Sequence, residues 1–198
     1  MKIGLTGGIA CGKSTVCSYL RQLGYFIADA DAISHSLTAP GGAALPMIRE
    51  AFGNDVFDGD ALDRKALGAL VFSCGEAREQ LNGILHPLII SRIASELDAH
   101  DAPDTLVFGD IPLLYECGMA HMFESVWVIS VPRDVQIDRV CMRDGLSREE
   151  AAKRINAQMP LAGKCALADH VIDSNGPVEA TRAQVRALIR SIHSRRNA

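Results

Sequence analysis

Two glycines, a lysine and a serine near the start of the chain have the types and spacing that bind phosphate. Gly7 is followed by four residues and then by Gly12, Lys13 and Ser14, the spacing G-x-x-x-x-G-K-[ST]. Glycines allow a tight backbone path that turns N–H groups inward, and a helix beginning near Lys13 adds its positive N-terminal end. The lysine can reach phosphate oxygens while the Ser14 hydroxyl ligates Mg²⁺, so the motif predicts a site for ATP or GTP.

An accidental glycine-rich turn is the alternative, and the flanking pattern argues against it. An expected strand, Ile3–Thr6, precedes the loop. Apolar residues recur at helical spacing after it: Val16, Tyr19, Leu20 and Leu23. We expect the nucleotide-binding loop to comprise Gly8, Ile9, Ala10, Cys11, Gly12, Lys13, Ser14 and Thr15. Ser14 is the expected magnesium ligand, because the motif assigns that role to the hydroxyl directly after the lysine.

The composition limits the class of protein. The 198 residues are 48% hydrophobic, enough for one well-buried α/β core. No run of about eighteen apolar residues occurs and the N-terminus enters a strand directly, so we expect a cytoplasmic protein without a membrane span. The formal net charge of −4 gives no field that would gather nucleic acid. The six cysteines form no C-x-x-C pair, which argues against a zinc site or a secreted disulfide framework.

Strand-like runs alternate with helical patterns along the chain, which predicts a mainly parallel sheet with helices on both faces. The expected strands are Ile3–Thr6, Tyr25–Ala28, Thr105–Gly109, Val126–Val131 and His170–Asp173. Residues 32–103 exceed what one crossover helix needs, so we expect a helical insertion there. Within it, Asp63 is expected to cap a helix, and Pro87 to kink or split a longer one.

Two aspartates, Asp29 and Asp31, follow the second expected strand. We expect this strand to lie beside the first, so that its carboxyl end brings a carboxylate to the same sheet edge as the glycine-rich loop. Such a carboxylate can accept the proton of an attacking hydroxyl, or orient that hydroxyl. Asp31 is the candidate for this role, with helix capping as the alternative, whereas capping is the expected role of Asp29.

The segment 133–164 carries seven basic and five acidic residues and is therefore locally positive. Arg139 and Arg143 are four residues apart on an expected helix, so both can project from one face toward phosphates. The alternative is that these arginines pair with neighbouring acidic residues on a solvated helical hairpin. We expect Arg148 and Arg154 to form such pairs.

The same segment contains a hinge that favours a kinase over a nucleotide switch. Ser147 and Glu150 have the spacing of a capping box, which begins a second helix after a short connection. Phosphoryl transfer depends on positioning and charge neutralisation, for which a mobile arginine-bearing cover is suited. A GTPase switch needs N-K-x-D, which is absent, and the one D-x-x-G, Asp173–Gly176, lies near the end of the chain.

These motifs together resemble the dephospho-coenzyme A kinase family nearly from end to end. The matching stretches are "GLTGGIACGKST", "DAD", "FGNDVF", "DGDALDRKALGALVF", "LHP", "DIPLLYE", "QIDRVCMRDGLS" and "ADHVIDSNG". The resemblance implies a P-loop kinase that uses ATP and Mg²⁺ to phosphorylate the ribose 3′-hydroxyl of dephospho-CoA. Its partners would be these small molecules, without nucleic acid or membrane, in a monomer or weak homo-oligomer. Another small-molecule or nucleoside monophosphate kinase, or a non-enzymatic switch, is the alternative.

The resemblance also implies roles and boundaries. Asp31 is implied as the catalytic base, Lys13 and Ser14 as contacts to phosphates and magnesium, and Arg139 and Arg143 as lid cations. The expected single domain comprises a nucleotide core of residues 1–31, 104–132 and 166–198, a CoA-binding insertion of residues 32–103 and a lid of residues 133–165.

Three further residues in the matching stretches each have a functional role that the resemblance implies and a structural role as the alternative. Asp110 resembles the acidic residue that holds magnesium through water at a strand end, or it caps the turn that follows. His86 resembles a substrate-side residue of the insertion, or it packs before Pro87. Arg64 contacts the acceptor, or it pairs with a neighbouring aspartate.

Two loop positions depart from the family's usual "GGIGSGK". Ala10 replaces a glycine, so we expect it at negative φ. Cys11 lies by a helix N-terminus and near Lys13, conditions that lower a thiol pKa. We therefore hypothesise that Cys11 is readily alkylated or oxidised, which would block ATP, and that bound nucleotide protects it. Burial as a small apolar filler is the alternative.

Overall fold

The computed structural model describes residues 1–196. By its internal contacts the chain divides into two compact units. The first, here called the core unit, comprises Met1–Ala28 and the described chain from Leu97 onward. The second, the helical unit, comprises Asp29–Glu96. None of the helices described between residues 1 and 196 is long and apolar enough to cross a membrane.

The elements alternate in the order that the sequence predicts. The described strands are β1 (Lys2–Gly7), β2 (Phe26–Asp29), β3 (Phe57–Asp58), β4 (Ala61–Leu62), β5 (Val107–Asp110), β6 (Ser125–Ser130) and β7 (His170–Asp173). The described α-helices are α1 (Lys13–Gln22), α2 (Ala30–Leu37), α3 (Leu45–Phe52), α4 (Arg64–Ser73), α5 (Gly75–His100), α6 (Arg133–Asp144), α7 (Arg148–Asn156), α8 (Leu161–Leu167) and α9 (Val178–Arg196). The five strands predicted for the sheet are confirmed, with ends that shift by no more than two residues.

Five strands form one sheet in the order β2-β5-β1-β6-β7. β1 is parallel to both β5 and β6, and β6 is parallel to β7. The expectation that the second strand lies beside the first is wrong, because β5 lies between them. Sequence order does not fix spatial order here, since a crossover between parallel strands can leave room for a strand that comes later in the chain.

The core of this sheet follows from the alternation of strand residues, which point in turn to opposite faces. Ile3, Leu5 and Trp127 are fully buried in an apolar cluster to which α1 and α9 contribute. Val126 and Val128 point to the other face and are buried as well, and α8 packs against β6. Each such side chain contributes about 1.5–3 kcal/mol on burial. The prediction of a sheet covered on both faces is therefore confirmed.

The predicted helix starts are also confirmed. Asp29 caps α2 and Asp63 caps α4, each by accepting hydrogen bonds from backbone N–H groups of the first turn. Ser147 and Glu150 form the reciprocal capping box that begins α7. Caps of this kind contribute about 1 kcal/mol each, because they satisfy N–H groups that lack a partner within the helix.

The helical unit has its own small core. Ala44, Ile48, Val56 and Leu67 are buried together, with an antiparallel β3–β4 hairpin nearby in the chain that the sequence did not predict. The helix α5 runs through Pro87 without a break, so the expectation of a split is wrong, whereas the kink stays a prediction. A proline removes one N–H donor from the helix, and the remaining bonds of a long helix can continue past it.

Candidate functional site

The glycine-rich loop links the end of β1 at Gly7 to the start of α1 at Lys13. Cys11 N–H donates to the Gly8 carbonyl at 3.2 Å and closes a four-residue turn whose third residue is Ala10. Ala10 has φ 57°, so the expectation of negative φ is wrong. Positive φ at this third position is the requirement of a type II turn, unlike the commoner type I turn. Alanine adopts it here at a cost of roughly 1–2 kcal/mol.

Lys13 and Asp110 are in direct contact. Asp110 ends β5, which pairs with β1, and its Oδ1 accepts a hydrogen bond from the Lys13 ammonium. Its Oδ2 accepts from the Cys17 thiol at 3.2 Å. Burial, reinforced by the neighbouring carboxylate, raises the pKa of Cys17, so the thiol stays protonated and remains a donor. Both oxygens of Asp110 are thus oriented beside the loop, at the strand end that the sequence indicated.

A cavity of about 350 Å³ gathers the loop and the two arginines proposed for the lid. Its lining residues are Ala10, Gly12, Ser14, Thr15, Arg139, Arg143, Ser174, Gly176, Val178 and Thr181. This volume lies within the range of about 300–1,000 Å³ that is typical of small-molecule sites. We call it the loop cavity.

Arg139 is held against the residue that follows β7. Its Nη2 donates to the Ser174 carbonyl at 2.7 Å and its Nη1 to the Ser174 hydroxyl at 3.3 Å. That hydroxyl donates to the Cys11 carbonyl at 2.5 Å. Sequence reasoning did not single out Ser174. Its position directly after a core strand, where parallel sheets hold their ligands, was the available signal.

Three further arginines of the segment 133–164 contact acidic residues. Arg143 donates from Nε and Nη2 to Asp144 at 2.7 and 3.0 Å. This contact raises the pKa of Arg143 and holds the pKa of Asp144 below its usual range. The pairs predicted for two exposed arginines are confirmed, since Arg148 contacts Asp138 and Arg154 contacts Asp144.

Cys11 is buried, with 1% of its surface exposed. Burial raises the pKa of its thiol, although a backbone hydrogen bond and the charge of Lys13 act in the opposite direction. The expectation of a lowered pKa is therefore wrong, because removal from water outweighs the nearby positive groups. The structure instead agrees with the alternative of a small apolar filler.

Oxygen atoms near the loop fit a magnesium ion that is bound together with a nucleotide. Among residues 1–196 no cluster of three or more His, Cys, Asp or Glu side chains could hold a metal by itself. A magnesium ion bound with nucleotide keeps several waters and takes only one or two protein ligands. The Ser14 hydroxyl, exposed in the first turn of α1, and the Asp110 carboxylate supply suitable oxygen atoms.

The helical unit carries the remaining candidates. Arg64 donates from Nη2 to the His35 carbonyl at 3.2 Å. It also lines a cavity of about 180 Å³ with Ser34, Thr38, Leu62, Leu67, Gly68, Val71, Leu81 and Leu85. Asp31 is exposed in the first turn of α2, and His86 is half-buried in α5. Neither is among the residues described as lining that cavity.

Similarity to known proteins covers nearly the whole chain. A family model described as Dephospho-CoA kinase matches residues 1–180. The Dephospho-CoA kinase of Shouchella clausii is 45% identical over 196 residues, which cover 98% of this chain and 100% of that protein. A solved Thermus thermophilus structure has a TM-score of 0.81 at 36% identity and covers 96% of this chain and 97% of its own. The Dephospho-CoA kinase from Campylobacter jejuni has a TM-score of 0.75 at 31% identity, with 100% of both chains covered.

Proposed function

We propose that this chain, which belongs to the dephospho-CoA kinase family, transfers the γ-phosphoryl group of ATP to the ribose 3′-hydroxyl of dephospho-CoA. The observation that carries the proposal is the loop cavity, in which the glycine-rich loop faces Arg139 and Arg143. Phosphoryl transfer is catalysed mainly by positioning and by neutralising charge on phosphate oxygens. A cavity lined by residues of the glycine-rich loop and by two arginines supplies both.

The loop of residues Gly8–Thr15 binds the triphosphate through those backbone N–H groups that do not already donate within the protein, as the N–H groups of Ile9 and Cys11 do. Lys13 stabilises charge on the β- and γ-phosphates, and Arg139 and Arg143 stabilise charge that develops during transfer. Arg139 reaches the loop cavity while it is anchored at Ser174. Bound nucleotide therefore competes with Ser174 for this guanidinium, which ties closure of the lid to the presence of ATP.

Ser14 and Asp110 would hold Mg²⁺, Ser14 directly and Asp110 through water. When bound, the ion neutralises phosphate charge and orients the β- and γ-phosphates. Asp110 also keeps the Lys13 ammonium at the loop through their direct contact. A carboxylate that holds both cations keeps positive charge concentrated at the phosphates.

Asp31 acts as the general base for the acceptor. It follows the end of β2 by two residues, and Asp29 already serves as the cap of α2. An exposed carboxylate in that first turn can accept the proton of the 3′-hydroxyl as the new oxygen–phosphorus bond forms. The bond between the γ-phosphorus and the oxygen that bridges it to the β-phosphorus breaks on the side opposite the attacking hydroxyl, and ADP leaves with that oxygen.

The acceptor is bound by the insertion of residues 32–103. Arg64 lies at the start of α4 on a cavity with mainly apolar walls, which suits a charged group attached to a flexible thiol-bearing arm. Arg64 and His86 are proposed as acceptor contacts, and residues 133–165 as the lid. The nucleotide core comprises residues 1–31, 104–132 and 166–198.

Release of ADP tests the proposal directly. The chain is incubated with Mg-ATP and dephospho-CoA, beside AMP, CMP and shikimate, and the product is located by NMR. Turnover that depends on dephospho-CoA and gives the 3′-phosphate supports the proposal. Turnover with another acceptor alone would keep the kinase and overturn the substrate, and ATP hydrolysis without any phosphorylated acceptor would favour a switch.

A further inference from the structure

Both backbone polar groups of one loop residue, Ile9, bind glutamine side chains from either end of the α6–α7 hairpin. The Ile9 carbonyl accepts from Gln136 Nε2 at 2.7 Å. The Ile9 N–H donates to Gln158 Oε1 at 2.9 Å. Gln136 lies in the first turn of α6 and is 2% exposed, whereas Gln158 follows the end of α7 by two residues. A carbonyl can only accept and an N–H can only donate, so the two amides must be oriented in opposite senses.

These two bonds fix two consecutive peptide planes. The Ile9 N–H belongs to the Gly8–Ile9 peptide, and the Ile9 carbonyl belongs to the Ile9–Ala10 peptide. Ala10 comes directly after the second plane and has φ 57°. A non-glycine residue leaves this region unless its surroundings hold it there. Gln136 is positioned to do so, because a flip of the Ile9–Ala10 peptide would break its hydrogen bond.

Gln136 also packs closely against the loop. A Cβ atom built on Gly8 would lie only 2.4 Å from Gln136 Nε2. Any larger residue at position 8 would therefore displace the Gln136 amide from its present position. Gln136 precedes Arg139 by three residues on α6, so the helix face that carries a lid arginine also contacts the loop.

We propose that Gln136 and Gln158 are positioning residues that hold the nucleotide loop in its ATP-binding conformation and tie it to both ends of the arginine-bearing hairpin. The inference rests on the proposed function only in that the loop binds ATP. Neither glutamine needs to touch the nucleotide. Their effect passes through Ile9, whose two peptide groups would otherwise be free to turn away from the phosphate-binding arrangement.

The same substitution at the two positions gives opposite expected results. Glutamate at position 136 replaces the donor with a second acceptor that faces the Ile9 carbonyl, whereas glutamate at position 158 keeps the acceptor. We expect Gln136→Glu to weaken ATP binding about tenfold and Gln158→Glu to stay within about twofold, as measured by calorimetry. Gln158→Leu, which removes the acceptor, should weaken it about fivefold. The control is Gln22→Glu, an exposed site at the end of α1.

A second variant tests the link to Ala10. If Gln136 holds the peptide before a strained alanine, Ala10→Gly should restore most of the ATP affinity lost in Gln136→Leu, because glycine adopts positive φ without that strain. The Michaelis constant for ATP should rise in Gln136→Leu while that for dephospho-CoA stays unchanged. General destabilisation would instead lower the active fraction and leave both constants alone.

The outcomes separate the two proposals. Wild-type protein that fails to bind Mg-ATP overturns the proposed function. Wild-type binding with equal affinity in Gln136→Glu and Gln158→Glu overturns the positioning role, as does a loss in Gln136→Leu that Ala10→Gly does not restore. If circular dichroism finds Gln136 variants unfolded, the half-buried Gln158 pair decides, and equal losses in Gln158→Leu and Gln158→Glu overturn the proposal.

Discussion

The core unit and the helical unit hold their candidate residues in different ways. In the core unit the charged groups contact one another or the backbone, as in the pairs Lys13–Asp110 and Arg139–Ser174. In the helical unit Arg64 borders a small cavity with mainly apolar walls, and Asp31 and His86 lie on separate helices. In the core unit the candidate charged side chains are held in place by hydrogen bonds. In the helical unit the candidates are single polar side chains, one of which lines a mainly apolar cavity.

This difference reflects the two ligands proposed for the chain. Phosphates are alike in every nucleotide and can be bound by a short run of backbone N–H groups, so one loop with fixed spacing suffices. An organic acceptor must be distinguished from other small molecules by its shape and by a few polar contacts. Side chains from several helices can form a pocket that does both. The three predictions below test this comparison, from the largest expected effect on activity to the smallest.

Asp31→Asn should have the largest effect. Loss of a general base lowers kcat by about 10²–10⁴-fold, while binding of ATP should stay unchanged because the loop residues are intact. Single-turnover ADP release with saturating substrates measures the effect. Asp29→Asn is the matched control, since asparagine caps a helix about as well as aspartate. Activity of Asp31→Asn within tenfold of wild type would leave the helical unit without a proposed catalytic group.

Asp110→Asn should have an intermediate effect on activity, and it tests the core unit, to which Asp110 belongs. The substitution removes the charge that orients Lys13 and is proposed to hold magnesium through water. Losing such a partner typically weakens metal affinity about 10–100-fold. The measurement is activity as a function of magnesium concentration at saturating ATP.

The control for that experiment is Asp98→Asn, which breaks the exposed ion pair between Asp98 and Lys2. An exposed pair contributes little, so the magnesium requirement should not change. If both variants need the same magnesium as wild type, Asp110 serves only to place Lys13.

Features encoded over a few adjacent residues could be predicted from the sequence. The strand ends, the caps at Asp29 and Asp63, and the box of Ser147 and Glu150 each depend on local spacing. The identity of the loop is local for the same reason, since its glycines and Lys13 all lie between positions 7 and 13. Local chemistry of this kind is the same whatever surrounds it.

Features that depend on distant residues could not be predicted. The position of β5 beside β1 depends on a crossover, which no local pattern encodes. The contacts of Gln136 and Ser174 with the loop join residues more than 100 positions apart in sequence. Ala10 is a local exception: its φ was predicted from its residue type alone, whereas the turn of Gly8–Cys11 sets the conformation.

Treatment with an alkylating reagent should have the smallest effect on activity, because Cys11, the cysteine of the nucleotide loop, is buried. Burial raises the pKa of its thiol, so less thiolate is present at neutral pH than in an exposed cysteine, and alkylation needs the thiolate. We expect iodoacetamide at pH 7.5 to modify Cys11 far more slowly than the half-buried Cys74, with activity retained. Mass spectrometry of the two peptides measures both rates.

The direction of the pKa shift also fixes the dependence on pH. A thiol whose pKa is higher in the folded chain contributes its full stability below the ordinary thiol pKa of about 8.5, and this contribution is lost as pH rises above it. Thermal unfolding between pH 7.5 and 10, compared with Cys11→Ala, measures this contribution. Rapid alkylation of Cys11 that Mg-ATP prevents would contradict this account, because it requires a reactive thiol open to the loop cavity. Slow labelling with or without nucleotide means that the thiol fills space beneath the loop, and that the anionic site above it depends on backbone N–H groups and Lys13.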